Sequence, residues 1–159
     1  MSKRSKTGVP GALLILAAGL GKRMKSELPK VLHEVCGEPM LVHLLRSVKE
    51  ATPPGTPIAI VVGHGREKVE STVLDRAEFS ELKLDFIFQS EQKGTGHAVR
   101  SAMESAWGKS RVAENAEILV LPGDLPLISS NLISEMVRPL SKNSKLRALT
   151  CRLSDPTGY

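Results

Sequence analysis

The sequence predicts an α/β fold: a Rossmann-like, mostly parallel sheet with helices on both faces. Three observations carry this reading. Apolar runs of strand length alternate with helix-period segments along most of the chain. The runs are nearly continuous in apolar residues, as strands covered on both faces are, and alternating strands and helices connect through right-handed crossovers. Polar, glycine-bearing loops follow the first, third and fourth runs, and such sheets bind ligands outside the carboxyl ends of their strands. Those three loops are therefore expected to converge.

The elements follow in order. Residues 1–9 read as a disordered leader, and 10–159 as the folded part. "MSKRSKTGVPGALLILAAGLG" has the basic start, short apolar run and small residues of a secretory signal. Cleavage near Ala18 would discard the first strand, Ala12–Leu16, so the segment is read as structure. Leu41, Leu44, Leu45 and Val48 share one helical face, with Pro39 placed in a first turn. A strand at Pro57–Val62 runs into the turn Gly63-His64-Gly65 and a weaker helix, Arg66–Leu74. A third strand, Leu84–Gln89, precedes a helix carrying Val99, Met103 and Ala106, for which Thr95 is the expected N-cap. The fourth strand is Glu117–Leu121. Ile133, Met136, Val137 and Leu140 follow a Ser129-Ser130 helix start, and a last strand is expected at Leu146–Leu153.

Composition narrows the function. The chain has 159 residues, one domain's worth and long enough to bury a core. No apolar run approaches the ~20 residues of a membrane span, so no membrane partner is expected. Cys36 and Cys151 are far apart and form no Cys-x-x-Cys pair. They read as reduced packing residues of a cytoplasmic protein. The four histidines have no metal-ligand spacing. Seven of the 22 cations but only one of the 17 acids lie in residues 1–30, so that segment carries +6 and the remaining chain, with 15 cations and 16 acids, −1 of the net charge of +5. A nucleic-acid binder spreads its basic footprint along a face and often adds stacking aromatics. The five aromatic residues lie elsewhere. A small, highly charged ligand gathered at one loop fits better than nucleic acid.

Each of the three loops offers a distinct chemistry. "AAGLGKRMKSELPK", Ala17 to Lys30, supplies Gly19, Gly21 and four cations. It is not a P-loop, because Gly21-Lys22 is followed by Arg23. It is not a dinucleotide fingerprint either, because Met24 occupies the third glycine position. Backbone N–H groups and cations there suit a polyphosphate. "QSEQKGTGHA", Gln89 to Ala98, supplies an amide that can donate to a carbonyl and accept from a ring N–H, the complement of the uracil edge. Gly94 lets the backbone approach a flat base. "LPGDLPLI", Leu121 to Ile128, supplies Asp124, a hard oxygen ligand suited to magnesium. The implied cargo is a nucleoside triphosphate with Mg2+ beside an acceptor.

"LAAGLGKRMKSELPKVLHEVCGEPM" resembles the signature L-x-x-G-x-G-[TS]-R-M-x-S-x-x-P-K-V-L of nucleotide-sugar pyrophosphorylases. "QSEQKGTGHA", "GDLPLI" and the terminal "DPTGY" are similar to the uridylyltransferase domain in that family's bacterial bifunctional branch, the UDP-N-acetylglucosamine pyrophosphorylase/glucosamine-1-phosphate N-acetyltransferases. The likeness runs over about residues 12–159 with the motifs in family order. It implies that Leu16, Ala17, Gly19 and Gly21 contact uridine and phosphates through backbone atoms. Arg23 and Lys30 would bind the triphosphate and stabilise charge during transfer. Gln89, Gly94 and Thr95 would read uracil, and Asp124 would ligate magnesium. The implied substrates are UTP and N-acetylglucosamine 1-phosphate, and the implied product serves cell-wall synthesis.

Two positions depart from the pattern. Lys22 stands where the family has Thr or Ser, and Pro122 where some members have tyrosine. The family's pattern continues past "DPTGY", and sugar-holding residues, a second magnesium-sharing side chain and a trimer-forming acetyltransferase domain would lie beyond Tyr159. Residues 1–159 alone are therefore expected to be monomeric or to associate non-specifically, and to bind nucleotide better than they turn it over.

Overall fold

The computed structural model describes residues 11–155 apart from Leu20, Lys22, Arg23, 113–115, Lys142 and Leu153. The expected leader and the end of the "DPTGY" motif lie outside the described residues.

The chain opens with strand β1, Ala12–Leu16. A small hairpin follows, β2 (Glu34–Val35) and β3 (Glu38–Pro39), leading into helix α1, Met40–Ala51. Strand β4 (Pro57–Val62), helix α2 (Arg66–Leu74) and strand β5 (Lys83–Phe88) come next. Helices α3 (Thr95–Glu104) and α4 (Ala106–Arg111), strand β6 (Ile118–Pro122) and helix α5 (Ser130–Met136) complete the order. The main sheet is parallel, ordered β5-β4-β1-β6, with Leu14 level with Ala59 and Val120. The chain builds outward from β1 through β4 to β5, then returns to place β6 on the other side of β1. That reversal opens a crevice at the carboxyl ends of β1 and β6, where such sheets take ligands.

Period-2 alternation in β1 divides the core between two faces. Leu13 and Ile15 pack with Leu41, Leu44, Leu45 and Val48 of α1, Val69 and Val73 of α2, and Ile133 of α5. Ala12 and Leu14 face the other way, against Ala98 and Ala102 of α3 and Trp107 of α4. The expected fold class is the observed one.

Local details differ from the sequence reading. The helix expected through Ala106 breaks after Glu104, and Ser105 caps a separate helix by accepting from the Gly108 N–H at 3.4 Å. Gly108 permits this corner, since a Cβ there would lie 2.3 Å from the Met103 carbonyl. The α3 cap residue is Gly94, not Thr95, and Ala98 and Ala102 are its fully packed residues. Pro39 is the N-cap of α1 and not inside its first turn. Ser129 caps α5 as expected, but the helix ends at Met136, before Leu140.

The strand expected at Leu146–Leu153 is absent from the described residues, which run irregularly with Leu146 and Leu149 exposed. A β-strand needs a neighbour's backbone to complete its ladder, and apolar content cannot supply one. Arg147 instead donates to the carbonyls of Glu135, Met136, Arg138 and Pro139 at 2.8–3.2 Å. It thus adds a charged donor to the carbonyls at and beyond the end of α5, where a cation also suits the helix dipole.

The cysteines are corrected in a similar way. Both are free, but both are exposed, so neither is a packing residue. Cys36 (φ 52°) and Gly37 (φ 78°) form the two-residue turn between β2 and β3, the left-handed pair that tight hairpins favour.

An ion network ties this hairpin to the first helical layer. Arg46 of α1 donates to Glu38 at 2.9 Å and to Glu78 at 2.9 and 3.0 Å, while Arg76 donates to Glu38 at 2.6 Å. Bonds from Arg76 and then Arg46 hold the Glu38 carboxyl below its ordinary value, and Arg46 does the same chiefly for Glu78. A depressed folded-state pKa stabilises at pH values above the unfolded one and is lost as pH falls through the folded one. The contribution should therefore be complete at neutral pH and disappear progressively below about pH 4.5. Thermal unfolding of Arg46→Met is expected to show a lower Tm than the parent at pH 7, with the gap closing as pH falls toward 3. A gap independent of pH would contradict the assignment.

Candidate functional site

The loops after β1, β5 and β6 meet at the switch point around a cavity of about 560 Å3. Its wall includes Leu16, Gly19, Gly21, Lys30, Gln89, Gly94, Thr95 and Asp124. Ala17 is different. It is buried beneath the wall, and its N–H is committed to the Val61 carbonyl at 2.8 Å. Arg23 and Lys22 lie outside the described residues.

The first loop leaves β1 and passes through Gly19, where a Cβ would meet nothing within 4 Å. Gly21 has φ 56°, and a Cβ there would press on Lys30 Cβ at 3.1 Å. Glycine at this position therefore supplies the left-handed turn and leaves room for the lysine stem. Lys30 opens a 3-10 turn, Lys30–Leu32, whose buried Val31 and Leu32 fix it to the core. Its ammonium pairs with the Asp124 carboxylate across the cavity, and both side chains are about one-third exposed. Asp124 is brought there by Gly123, whose N–H donates to the Leu16 carbonyl at 2.8 Å. A Cβ on Gly123 would lie 2.9 Å from that oxygen, so the β1 and β6 loops approach closely only because this residue is glycine.

The loop after β5 begins at Gln89, whose N–H extends the ladder to the Val62 carbonyl at 2.8 Å. Its side chain is buried, with Nε2 2.7 Å from His97 Nδ1. Gly94 has φ 92° and caps α3, so the free N–H groups of that helix's first turn lie at the cavity. Gln92 fastens this loop to the first one by donating to the Ala18 carbonyl at 2.6 Å. Gly63 makes room beneath, since a Cβ there would stand 2.8 Å from that same oxygen. Gln92, His97, Gly63 and Gly123 carry no role at the site in the sequence reading. His97 had a usable signal, eight residues after Gln89 and in the first turn of the following helix. The glycines had none, because their need arises from contacts between distant segments.

Among the described residues the cavity thus collects the Lys30 cation, the Asp124 carboxylate, the buried Gln89 amide and a helix N-terminus. Among the described residues no group of three His, Cys, Asp or Glu side chains could hold a metal unaided. Asp124 on its own suits an ion that keeps most of its shell as water and ligand oxygens, as magnesium does. Among those residues no helix is long and apolar enough to cross a membrane.

A parallel sheet with a crevice at its switch point and three loops around it defines an open α/β domain of the kind that takes ligands at the carboxyl ends of its strands. The MobA-like NTP transferase domain profile matches residues 13–155, and the chain belongs to that family. The bifunctional protein GlmU of Nitrosomonas eutropha is 41% identical over 147 residues, 92% of this chain and 29% of that protein. GlmU of Thermobifida fusca is 40% identical over 151 residues, 94% of this chain and 30% of that protein. The chain therefore spans under a third of the length of these relatives. Among solved structures, HddC from Yersinia pseudotuberculosis complexed with GMP-PN has a TM-score of 0.58 and 25% identity, covering 79% of this chain and 53% of that one. A UDP-glucose pyrophosphorylase complexed with UDP-glucose has a TM-score of 0.60 at 21% identity, covering 79% and 51%, and shares the fold.

Proposed function

We propose that this chain is the N-terminal part of a uridylyltransferase that makes UDP-N-acetylglucosamine and diphosphate from UTP and N-acetylglucosamine 1-phosphate in the cytoplasm, for cell-wall precursors. The observation that carries this reading is the meeting of Gln89, Lys30 and Asp124 on one cavity at the switch point. The sugar and base are those implied by the resemblance of the segments "QSEQKGTGHA" and "GDLPLI", and the family match supports nucleotidyl transfer.

In this reading Gln89, Gly94 and Thr95 hold the uracil and the backbone at Leu16, Gly19 and Gly21 faces the ribose and phosphates. Ala17 joins that contact through its backbone, with its N–H already bonded to the Val61 carbonyl. Lys30, with Arg23, draws the triphosphate in and neutralises charge that develops on it. The sugar phosphate oxygen forms a bond to the α-phosphorus as the bond to the departing diphosphate breaks. Positioning and charge stabilisation dominate such transfers. Magnesium, held by Asp124 and phosphate oxygens, would add charge neutralisation. Arrival of the triphosphate gives Lys30 a new anionic partner, which releases Asp124 from its ion pair.

A sibling pyrophosphorylase with another sugar or base is the second reading, favoured by the fold likeness to HddC and UDP-glucose pyrophosphorylase. A non-catalytic nucleotide-binding module is the third. Diphosphate release separates them, measured on residues 1–159 alone and joined to the remaining nucleotidyltransferase segment of a relative. Release with UTP and N-acetylglucosamine 1-phosphate from the joined protein is expected, with little from 1–159 alone. Preference for another sugar phosphate would favour the sibling reading, and no release from either form the module. CTP should bind more weakly than UTP, because cytosine reverses donor and acceptor at two edge positions. A buried group left unpaired costs ~1–3 kcal/mol, and equal affinities would contradict the uracil role.

A further inference from the structure

We infer that His97 sets base selectivity by fixing which way the Gln89 carboxamide faces, an inference that rests on the proposed reading that Gln89 meets the base. A carboxamide presents an acceptor and a donor side by side, and a half-turn of its terminal torsion exchanges them. That exchange is the difference between the edges of uracil and cytosine. The strand holds the backbone of Gln89 through its bond to Val62, but a backbone bond does not choose between the two amide orientations.

His97 makes that choice. Its Nδ1 lies 2.7 Å from Gln89 Nε2 in a part-buried contact, with Gln89 itself 4% exposed. A neutral imidazole protonated on Nε2 leaves Nδ1 as an acceptor, which takes one Nε2–H of Gln89. The half-turned amide would set the Oε1 lone pairs against the Nδ1 lone pair. With the amide held, the second Nε2–H and Oε1 remain for a ligand, a donor and an acceptor that can meet a carbonyl and the N3–H of uracil. His97 can hold this place because it lies in the first turn of α3, the helix that Gly94 starts at the cavity. It is a positioning residue, acting through Gln89.

The test measures affinities of the 159-residue chain for magnesium UTP and magnesium CTP by calorimetry, with the ratio as readout. The ratio is insensitive to losses that weaken both nucleotides alike. The parent should favour UTP by about tenfold or more. His97→Leu, which removes the acceptor, should bring the ratio close to one. His97→Asp, an acceptor without a donor, should restore the preference even if both affinities fall. A parent preference that survives His97→Leu would overturn the role of His97 and leave the uracil reading intact. Absence of any preference in the parent would overturn both. Nitrogen NMR of the parent gives a second measurement if His97→Leu does not fold. An Nε2-protonated ring with coupling between Gln89 Nε2–H and His97 Nδ1 supports the inference, and an Nδ1-protonated ring overturns it.

Discussion

Replacing Lys30 by alanine is expected to slow nucleotidyl transfer by ~10²–10³, about 3–4 kcal/mol of transition-state stabilisation, in a chain joined to the rest of its catalytic domain. Loss of the Lys30–Asp124 pair should have far less effect on folding. Both side chains are about one-third exposed, and such pairs contribute ~0.2–1 kcal/mol. The two magnitudes separate a charge-stabilising lysine from a surface one. Steady-state rates and denaturant unfolding on the same variant check the expectation. Turnover within a few-fold of the parent would remove Lys30 from the mechanism. Arg23→Ala is expected to act in the same direction.

The second large effect is structural. Trp107 anchors α4 on the sheet face it shares with Ala12, Leu14, Ala18, Ala59, Val61, Ile87, Ala98 and Ala102. Small residues dominate that face, so the indole supplies much of its filling volume. Trp107→Ala is expected to cost ~3–5 kcal/mol, a large share of the ~5–15 kcal/mol that holds a domain together. Its Nε1 is buried without a partner among the described residues, which costs ~1–3 kcal/mol in the folded state. Trp107→Phe deletes that donor and retains most of the packing, so its destabilisation should be much the smaller. Denaturant unfolding followed by circular dichroism measures both. Equal losses for the two variants would contradict this account of the face.

The sheet and its helices were legible because burial on both faces leaves its mark locally. The apolar runs Ala12–Leu16 and Pro57–Val62 are strands to the residue, and the glycine-flanked turn before Arg66–Leu74 starts α2 as read. Loop convergence followed from topology, since the strands are parallel and β1 lies between β4 and β6. What was missed depends on contacts and backbone angles that no residue pattern records. Leu146–Arg152 is apolar enough for a strand, yet the sheet makes no ladder with it and Arg147 binds the carbonyls beyond α5. The break at Ser105 needs Gly108 pressed on the Met103 carbonyl, a contact that a helical pattern conceals. The Cys36-Gly37 hairpin was hidden because a non-glycine residue with positive φ carries no compositional signal. Within the site, the residues that touch a ligand in the proposal were readable from their chemistry. Of those that hold them, Gln92 declares itself only through its bond to the Ala18 carbonyl, whereas His97, bonded to Gln89, also had its place in the first turn of α3 as a signal.

The central claim is that the three loops form one nucleoside triphosphate site. Titration of the nitrogen-labelled chain with magnesium UTP, followed by amide NMR, tests it most directly. The amides of Gly19, Gly21, Gly94, Thr95 and Asp124 should shift together with one common affinity, while the β2–β3 hairpin stays unmoved. Shifts confined to a single loop, separate affinities for the three loops, or no response to the nucleotide would contradict it.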